Sequence, residues 1–202
     1  MKARHHNGRY ATRARATAPG RVRLIGGRWR GTRLEVPEVA GLRPTSDRVR
    51  ETLFNWLAPA LPGARVLDLF AGSGALGLEA VSRGAASAVL VERDRVLAQA
   101  LRTVAGRLPG GEVVKVAEAD ARQWLQGQAN ASFDIAFVDP PFAEGLWETV
   151  LPVLSPLLAA DGWLYVESRA ETPAAPPAGW ALHRDGRTRE VHHALYRRGG
   201  PY

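Results

Sequence analysis

The stretch that decides the fold is "VLDLFAGSGALGLEA", Val66 to Ala80. Its apolar start is typical of a buried strand, and the residues from about Ala75 onward have the character of a helix. Between them, Gly72, Gly74 and Gly77 form the pattern G-x-G-x-x-G, which indicates a nucleotide-binding turn between a strand and a helix. We expect the third glycine only to let the helix pack closely on the sheet.

Further strands and helices alternate along the rest of the chain. Parallel strands are predicted for "ARVLDLF", "SAVLVER", "EVVKVAE", "FDIAFVD" and "GWLYVES". Helices are expected to start near Ala75, Asp94, Ala121 and Gly145. The segment "WALHRDGRTREVHHALYRR" predicts a terminal antiparallel hairpin that turns at Asp185-Gly186. The prediction is therefore an α/β fold of the Rossmann-like type, with a mostly parallel seven-stranded sheet.

Positive charge is concentrated at the beginning of the chain. The protein has 202 residues and a net charge of +7, and residues 1–50 hold 13 of the 27 Lys and Arg but three of the 20 Asp and Glu. This distribution predicts a polyanionic partner, most simply a nucleic acid. The absence of cysteine excludes disulfides and thiolate metal sites. Because no secretory signal or bilayer-spanning run is found, we expect a cytoplasmic protein without a membrane partner.

Composition divides the chain into three parts. Residues 1–20 look like a flexible basic arm, which either binds nucleic acid or only aids solubility. Residues 21–62 form an extension: a hairpin within "RVRLIGGRWRGTRLEVP", then a helix within "RPTSDRVRETLFNWLAPALPG" that Thr45 or Ser46 can cap. Residues 63–202 are expected to form the cofactor-binding domain.

Acidic residues at the strand ends help to choose between cofactors. Asp68 ends the first strand, where a carboxylate would repel a pyrophosphate but attract a cationic amino-acid group. This favours S-adenosylmethionine over a nicotinamide dinucleotide. Glu92 ends the second strand, where either cofactor would offer its ribose hydroxyls. Asp120, after the third strand, can accept from an adenine amino group or cap the next helix, and the sequence leaves both roles open.

The fourth strand ends in "FVDPPF", which places an acid and an aromatic ring around two prolines. The Asp139 carboxylate and the Pro140 carbonyl are two acceptors for an NH2 group, and Phe142 offers a surface on which a base can stack. This set suits the exocyclic amine of a nucleobase. By itself it does not separate guanine N2 from adenine N6 or cytosine N4, in DNA or RNA.

These motifs resemble those of a known family. "DLFAGSGALGLEA", "VERD" and "FVDPPF" are similar to the cofactor and amino-methylation motifs of class I S-adenosylmethionine-dependent methyltransferases. Together with "RLIGGRWRGTRLEVP" and "GLRPTSDRVRETLFNWL", they closely resemble the RsmD family, which methylates N2 of a guanine in bacterial 16S ribosomal RNA. The resemblance runs from about Arg21 through the terminal hairpin and leaves the basic arm and "AETPAAPPAG" unassigned.

The resemblance implies three groups of site residues and no metal. Residues implied in S-adenosyl-L-methionine binding are Asp68, Phe70, Ala71, Gly72, Gly74, Glu92, Arg93, Asp120 and Ala121. Residues implied in catalysis are Asp139, Pro140, Pro141 and Phe142. Residues implied in RNA binding are Arg28, Trp29, Arg30, Arg43, Thr45 and Arg48, although Trp29 also suits a core position. The implied partner is 16S rRNA or the small ribosomal subunit, bound by a monomer.

Two other functions compete with this interpretation. A nicotinamide-dependent oxidoreductase would use the glycine turn but would leave "DPPF" and the arginine-rich extension without a role. A non-catalytic RNA-binding module would keep the fold with a degenerate cofactor site. A cofactor titration distinguishes an oxidoreductase from a methyltransferase. An assay of methyl incorporation distinguishes a non-catalytic RNA-binding module from a methyltransferase.

Overall fold

The computed structural model describes residues 21–35, 37 and 45–199. Its first elements are strands β1 (Arg21–Arg23) and β2 (Arg33–Glu35) and helix α1 (Asp47–Leu57). The main α/β unit follows as β3 (Arg65–Asp68), α2 (Ala75–Ser82), β4 (Ser87–Glu92), α3 (Arg95–Arg107), β5 (Val114–Glu118), α4 (Ala121–Leu125), β6 (Phe133–Val138), α5 (Trp147–Leu154) and β7 (Leu158–Arg169). The last elements are β8 (Trp180–Arg187) and β9 (Val191–Arg198).

The main sheet has seven strands in the order β5-β4-β3-β6-β7-β9-β8. The first five strands in this order pair in parallel, whereas β9 is antiparallel to both β7 and β8. This topology confirms the predicted Rossmann-like fold. The chain adds strands on one side of β3 and then crosses to the other, so the loops after β3, β4 and β6 open on one crevice at the carboxyl edge.

The terminal hairpin forms, but its predicted turn is wrong. Asp185 and Gly186 remain in β8, where Gly186 pairs with His193, and the turn follows at residues 188–190. A Cβ on Gly186 would come within 2.5 Å of the His193 ring, so this glycine serves the close packing of the ring. Thr188 makes the turn instead, since its backbone N–H donates to the Val191 carbonyl at 2.8 Å.

The extension of residues 21–62 packs directly on the sheet. Side chains of its strands and of α1 share one hydrophobic cluster with residues of β3, β4, β6 and β7. Within it, Phe54 of α1 meets Phe137 of β6 edge-on at 6.1 Å, and Phe137 meets Tyr165 of β7 at 6.2 Å. The predicted boundary near residue 62 is therefore not a break in the core.

A buried ion pair also joins the extension to α2. Arg50 is fully buried, and its guanidinium donates to Glu79 Oε2 at 3.0 Å and to the Arg23 carbonyl at 2.8 Å. Glu79 is equally buried and accepts from Arg83 through Oε1 at 2.8 Å. Because α2 begins in the glycine turn, this network fixes the extension relative to that turn.

Candidate active site

The glycine turn follows β3 and begins α2. Gly74 has a φ of 74°, and a Cβ there would approach Leu101 to 2.4 Å, so the position requires glycine. Asp68, at the end of β3, accepts a hydrogen bond from the backbone N–H of Gly77 at 2.9 Å through Oδ2. The expectation that Gly77 serves only close packing was therefore incomplete, because its N–H also orients the Asp68 carboxyl.

Asp68 has an unusual protonation equilibrium. The side chain is buried, and burial raises its pKa to about 7. The Glu92 charge adds to this rise, and the hydrogen bond from Gly77 opposes it. The hydrogen bond from Gly77 offsets only part of the lost solvation, and a cationic group placed beside the carboxylate would supply the rest.

Glu92 connects the end of β4 to the glycine turn. Its Oε2 accepts from the backbone N–H of Gly72 at 2.8 Å, and its Oε1 accepts from that of Asp94 at 2.7 Å. Each oxygen keeps a further lone pair, so the carboxylate can still accept from two hydroxyl groups. The backbone of Ala71 is held nearby through a bond to the Val91 carbonyl, and Phe70 is half-buried beside it.

Asp120 adopts one of the two roles left open by the sequence. Its Oδ1 accepts from the backbone N–H groups of Arg122 at 3.0 Å and Gln123 at 3.3 Å, so it caps α4. Its hydrogen bond with the Arg122 side chain lowers the pKa of Asp120. Ala121 follows as the first residue of α4 and is buried. A contact of these residues with adenine stays a prediction.

A pocket beside the turn is bordered by the extension. Its walls combine Gly72 and Ser73 with residues of β2, α3 and the segment after β2, namely Leu34, Pro37, Leu97, Ala100, Leu101 and Val104. The extension and the glycine turn therefore both line this pocket.

Asp139, Pro140, Pro141 and Phe142 follow β6 directly, on the same edge of the sheet as Asp68 and Glu92. Burial raises the pKa of Asp139 well above its ordinary value, and the charges of Glu167 and Asp68 raise it further. The Phe142 ring lies 5.8 Å from that of Trp147 at 47°. Beyond the prolines, Glu144 forms an exposed ion pair with Arg93, linking the loops after β6 and β4.

Sequence reasoning missed Glu167. This buried residue near the end of β7 accepts at Oε1 from the Tyr165 hydroxyl at 2.8 Å and from Thr45 Oγ1 at 3.0 Å. Trp147 donates to its carbonyl at 2.8 Å. Burial raises the pKa of Glu167, and the two hydroxyl groups oppose the rise. The rule that selected Asp68, Glu92 and Asp139, an acid at a strand's carboxyl end, applies equally to "LYVES".

The predicted RNA-binding residues occupy different environments. Arg28, Arg30 and Arg48 are exposed, while Arg43 lies outside the described residues. Trp29 is 3% exposed, and its indole N–H donates to the Pro109 carbonyl at 3.0 Å. Its predicted contact with RNA is therefore corrected to a core position, because a buried ring cannot stack on a base.

The described residues contain neither a metal-ligand cluster nor a helix that could span a membrane. Within ranges 21–35 and 45–199 and at residue 37, no three His, Asp or Glu side chains are grouped as metal ligands would be. No helix in this described part of the chain is long and apolar enough to cross a membrane.

Comparison with known proteins places these features in a family. The family model described as "Conserved hypothetical protein 95" matches residues 22–197. Over 182 residues, covering 89% of this chain and 91% of the relative, the sequence is 48% identical to "Ribosomal RNA small subunit methyltransferase D" of Escherichia coli K12. The protein of the same name from Haemophilus influenzae is 40% identical over 189 residues, covering 89% of this chain and 95% of the relative.

A solved structure gives the same assignment. "Putative methyltransferase yhhF from Escherichia coli" superposes with a TM-score of 0.80 at 47% identity, covering 90% of this chain and 100% of that one. Sequence and fold therefore agree, and the chain belongs to the RsmD family of class I methyltransferases.

Proposed function

We propose that this protein transfers a methyl group from S-adenosylmethionine to the exocyclic N2 of a guanine in 16S ribosomal RNA. The observation that carries the proposal is the position of the Asp139-Pro140-Pro141-Phe142 segment, next to the strand ends that carry Asp68 and Glu92. The similarity to two proteins named ribosomal RNA small subunit methyltransferase D supports the RNA substrate.

The residues around the glycine turn suit this cofactor. The buried Asp68 carboxylate would meet the ammonium group, and Glu92 would accept from the ribose hydroxyls. Gly72 and Gly74 allow close approach of the backbone, with Phe70 and Ala71 beside them. When bound, S-adenosylmethionine supplies an electrophilic methyl group on a positively charged sulfur. A dinucleotide suits the site less well, because its pyrophosphate would face the Asp68 carboxylate.

The segment after β6 would orient the amine. The nitrogen lone pair of guanine N2 is delocalised into the ring, so the free amine is a weak nucleophile. Hydrogen bonds from its two N–H groups to the Asp139 carboxyl and the Pro140 carbonyl would favour a pyramidal nitrogen and direct its lone pair toward the methyl group. Asp139, with its raised pKa, is suited to hold the proton that the amine releases.

The substrate base must reach this crevice from outside a helix. We therefore propose that the target guanine is single-stranded or flipped out and stacks on Phe142. Exposed arginines, among them Arg28, Arg30 and Arg48, would contact phosphates. The proposed partner is 16S rRNA or the small ribosomal subunit, and we propose that the protein acts on it in the cytoplasm as a monomer.

The decisive experiment maps the methylated nucleotide. Small subunits from a strain that lacks this activity are incubated with the protein and S-adenosylmethionine carrying a labelled methyl group. We expect the label at N2 of one guanine in 16S rRNA. Label at adenine N6 or cytosine N4, or tight NAD(P) binding without S-adenosylmethionine binding, would contradict the proposal.

Variants then test the acceptor. Asp139→Ala is expected to lower methyl transfer by about 100-fold or more while cofactor binding is kept. Asp161→Ala, which removes an exposed carboxylate near the amino-terminal end of β7, is the matched control and should retain full activity. Unchanged transfer by Asp139→Ala would exclude the acceptor role.

A further inference from the structure

A second carboxyl lies beside Asp139 on the neighbouring strand. Phe137 of β6 pairs with Tyr165 of β7, and Val138 pairs with Val166. Asp139 directly follows β6 and Glu167 is the next residue of β7, and the Glu167 charge raises the pKa of Asp139, so the two carboxyls lie near each other at the carboxyl edge of the sheet. Neighbouring strands lie about 4.8 Å apart, which brings two such carboxyls within reach of adjacent groups on one base edge.

The surroundings of Glu167 make it a hydrogen-bond acceptor. Tyr165 and Thr45 both donate their hydroxyl protons to Oε1, and these bonds favour the ionised carboxylate against burial, which raises the pKa of Glu167. Thr45 lies just before α1 and Tyr165 is part of the sheet, so the side chain is held from two directions. Glu167 is 4% exposed, and a buried acceptor of this kind discriminates strongly between partners that can and cannot donate to it.

The nucleobases differ at the ring nitrogen next to the exocyclic amine. In guanine the amine lies between two ring nitrogens, and one of them, N1, carries a hydrogen and is a donor. In adenine the nitrogen next to N6, and in cytosine the nitrogen next to N4, is an acceptor. Asp139 and the Pro140 carbonyl would accept from any of the three amines, so they cannot choose between them. A further acceptor placed beside the amine would choose guanine, because it would face a lone pair in the other two bases.

We propose that Glu167 is the specificity-determining residue, which accepts the N1–H of the target guanine while Asp139 and the Pro140 carbonyl accept from N2. The inference rests on the proposed function, since it assigns the base choice within the same site. It gives the extension a part in this choice, because Thr45 holds the Glu167 carboxylate in place.

The test compares guanine with 2-aminopurine at the mapped position of reconstituted small subunits. Both bases carry the exocyclic amine, but N1 of 2-aminopurine is an acceptor. Wild-type protein is expected to methylate guanine about 100-fold more efficiently, as kcat/KM. Glu167→Gln keeps an oxygen for Tyr165 and Thr45 and can turn an NH2 group toward the base. Its preference for guanine is expected to fall to less than about threefold.

The ratio of the two efficiencies separates recognition from a structural role. A merely structural defect would lower both efficiencies together and leave the ratio unchanged, and that result would overturn the inference. Glu171→Gln, which neutralises an exposed carboxylate just beyond β7, is the matched control and should keep the wild-type ratio. Failure of wild-type protein to methylate guanine N2 at all would instead refute the proposed function.

Discussion

Asp68 and Gly77 are joined by a hydrogen bond of 2.9 Å, from the backbone N–H of the glycine to Oδ2 of the aspartate. Gly77 lies in the first turn of α2, so this bond connects the end of β3 to the helix across the glycine turn. A Cβ at Gly77 would lie 2.8 Å from Leu90 Cδ1 and 3.1 Å from Asp68 Cβ. The absence of a side chain thus sets both the packing of α2 and the position of the carboxyl.

Gly77→Ala should therefore lower both the stability of the protein and its affinity for the cofactor, despite the higher helix propensity of alanine. Overpacking against Leu90 and Asp68 typically costs about 1–3 kcal/mol, whereas the propensity gain is about 1 kcal/mol. We expect a melting temperature lowered by about 2–4 °C and S-adenosylmethionine affinity lowered about tenfold. Differential scanning calorimetry and isothermal titration calorimetry measure these quantities.

Gly106→Ala is the matched control for that prediction. Gly106 also lies inside a helix, α3, but a Cβ there would meet nothing within 4 Å. This variant should gain about 0.5–1 kcal/mol of stability and bind cofactor normally. Equal behaviour of the two alanine variants would show that the contacts of Gly77 with Leu90 and Asp68 have no energetic weight.

Asp68→Asn should stabilise the free protein at alkaline pH. An unfolded aspartate has a pKa of about 3.9, whereas burial raises that of Asp68 to about 7. The stability that this raised pKa contributes is present below about pH 4 and is lost as pH rises through about 7. Asparagine cannot ionise and avoids this loss. The difference in melting temperature, variant minus wild type, should therefore increase from pH 5 to pH 8.

The same substitution should weaken cofactor binding, because the ammonium group loses its carboxylate partner. We expect S-adenosylmethionine affinity to fall by about 100-fold at pH 8, equivalent to about 2.7 kcal/mol. Wild-type affinity should rise with pH up to about 7 and then level off, as Asp68 ionises. Asp161→Asn, at an exposed position, supplies the control with neither effect. A pH-independent melting difference for Asp68→Asn would contradict the assigned pKa.

The buried pair of Arg50 and Glu79 gives a prediction about stability. Glu79→Gln removes the buried one of two carboxylates that pair with the Arg50 guanidinium and leaves Asp47, at 2.6 Å, so the expected cost is up to about 3–5 kcal/mol. Replacing Arg50 by Met in the same chain should recover part of this loss. Urea unfolding measures both variants. Glu118→Gln, in the exposed pair with Arg102, should change stability by less than about 1 kcal/mol.

Several parts of the fold and site could be predicted because they depend on local patterns. Apolar runs predicted the parallel strands, and the residues that end or directly follow them predicted Asp68, Glu92 and the Asp139 segment as a candidate site, since parallel strands end at one edge. Glu167 lay within reach of the same rule. The structure therefore adds its neighbours, Thr45 and Tyr165, rather than its location in the sheet.

Other features depend on contacts between distant parts of the chain. Asp185-Gly186 is a strong local signal for a turn, but the His193 ring on the opposite strand needs the space beside Gly186. Trp29 lies among exposed arginines in the sequence, yet its ring is buried and its indole N–H donates to the carbonyl of Pro109. Neither partner can be identified from the residues nearby in the sequence.

The burial of Trp29 leads to a last prediction, which separates the core of the extension from its proposed RNA-binding surface. Trp29→Phe loses the hydrogen bond to Pro109 and part of a buried ring, so we expect stability to fall by about 1–3 kcal/mol. Its affinity for 16S rRNA should stay the same below the melting temperature.

Arg30→Ala and Arg48→Ala remove exposed guanidinium groups and should leave stability unchanged. Each should reduce the slope of log affinity against log salt by about one, because one phosphate contact is lost. Filter binding over a range of NaCl concentrations measures the slopes. Loss of RNA affinity by Trp29→Phe with full stability would mean that the ring contacts the RNA after all.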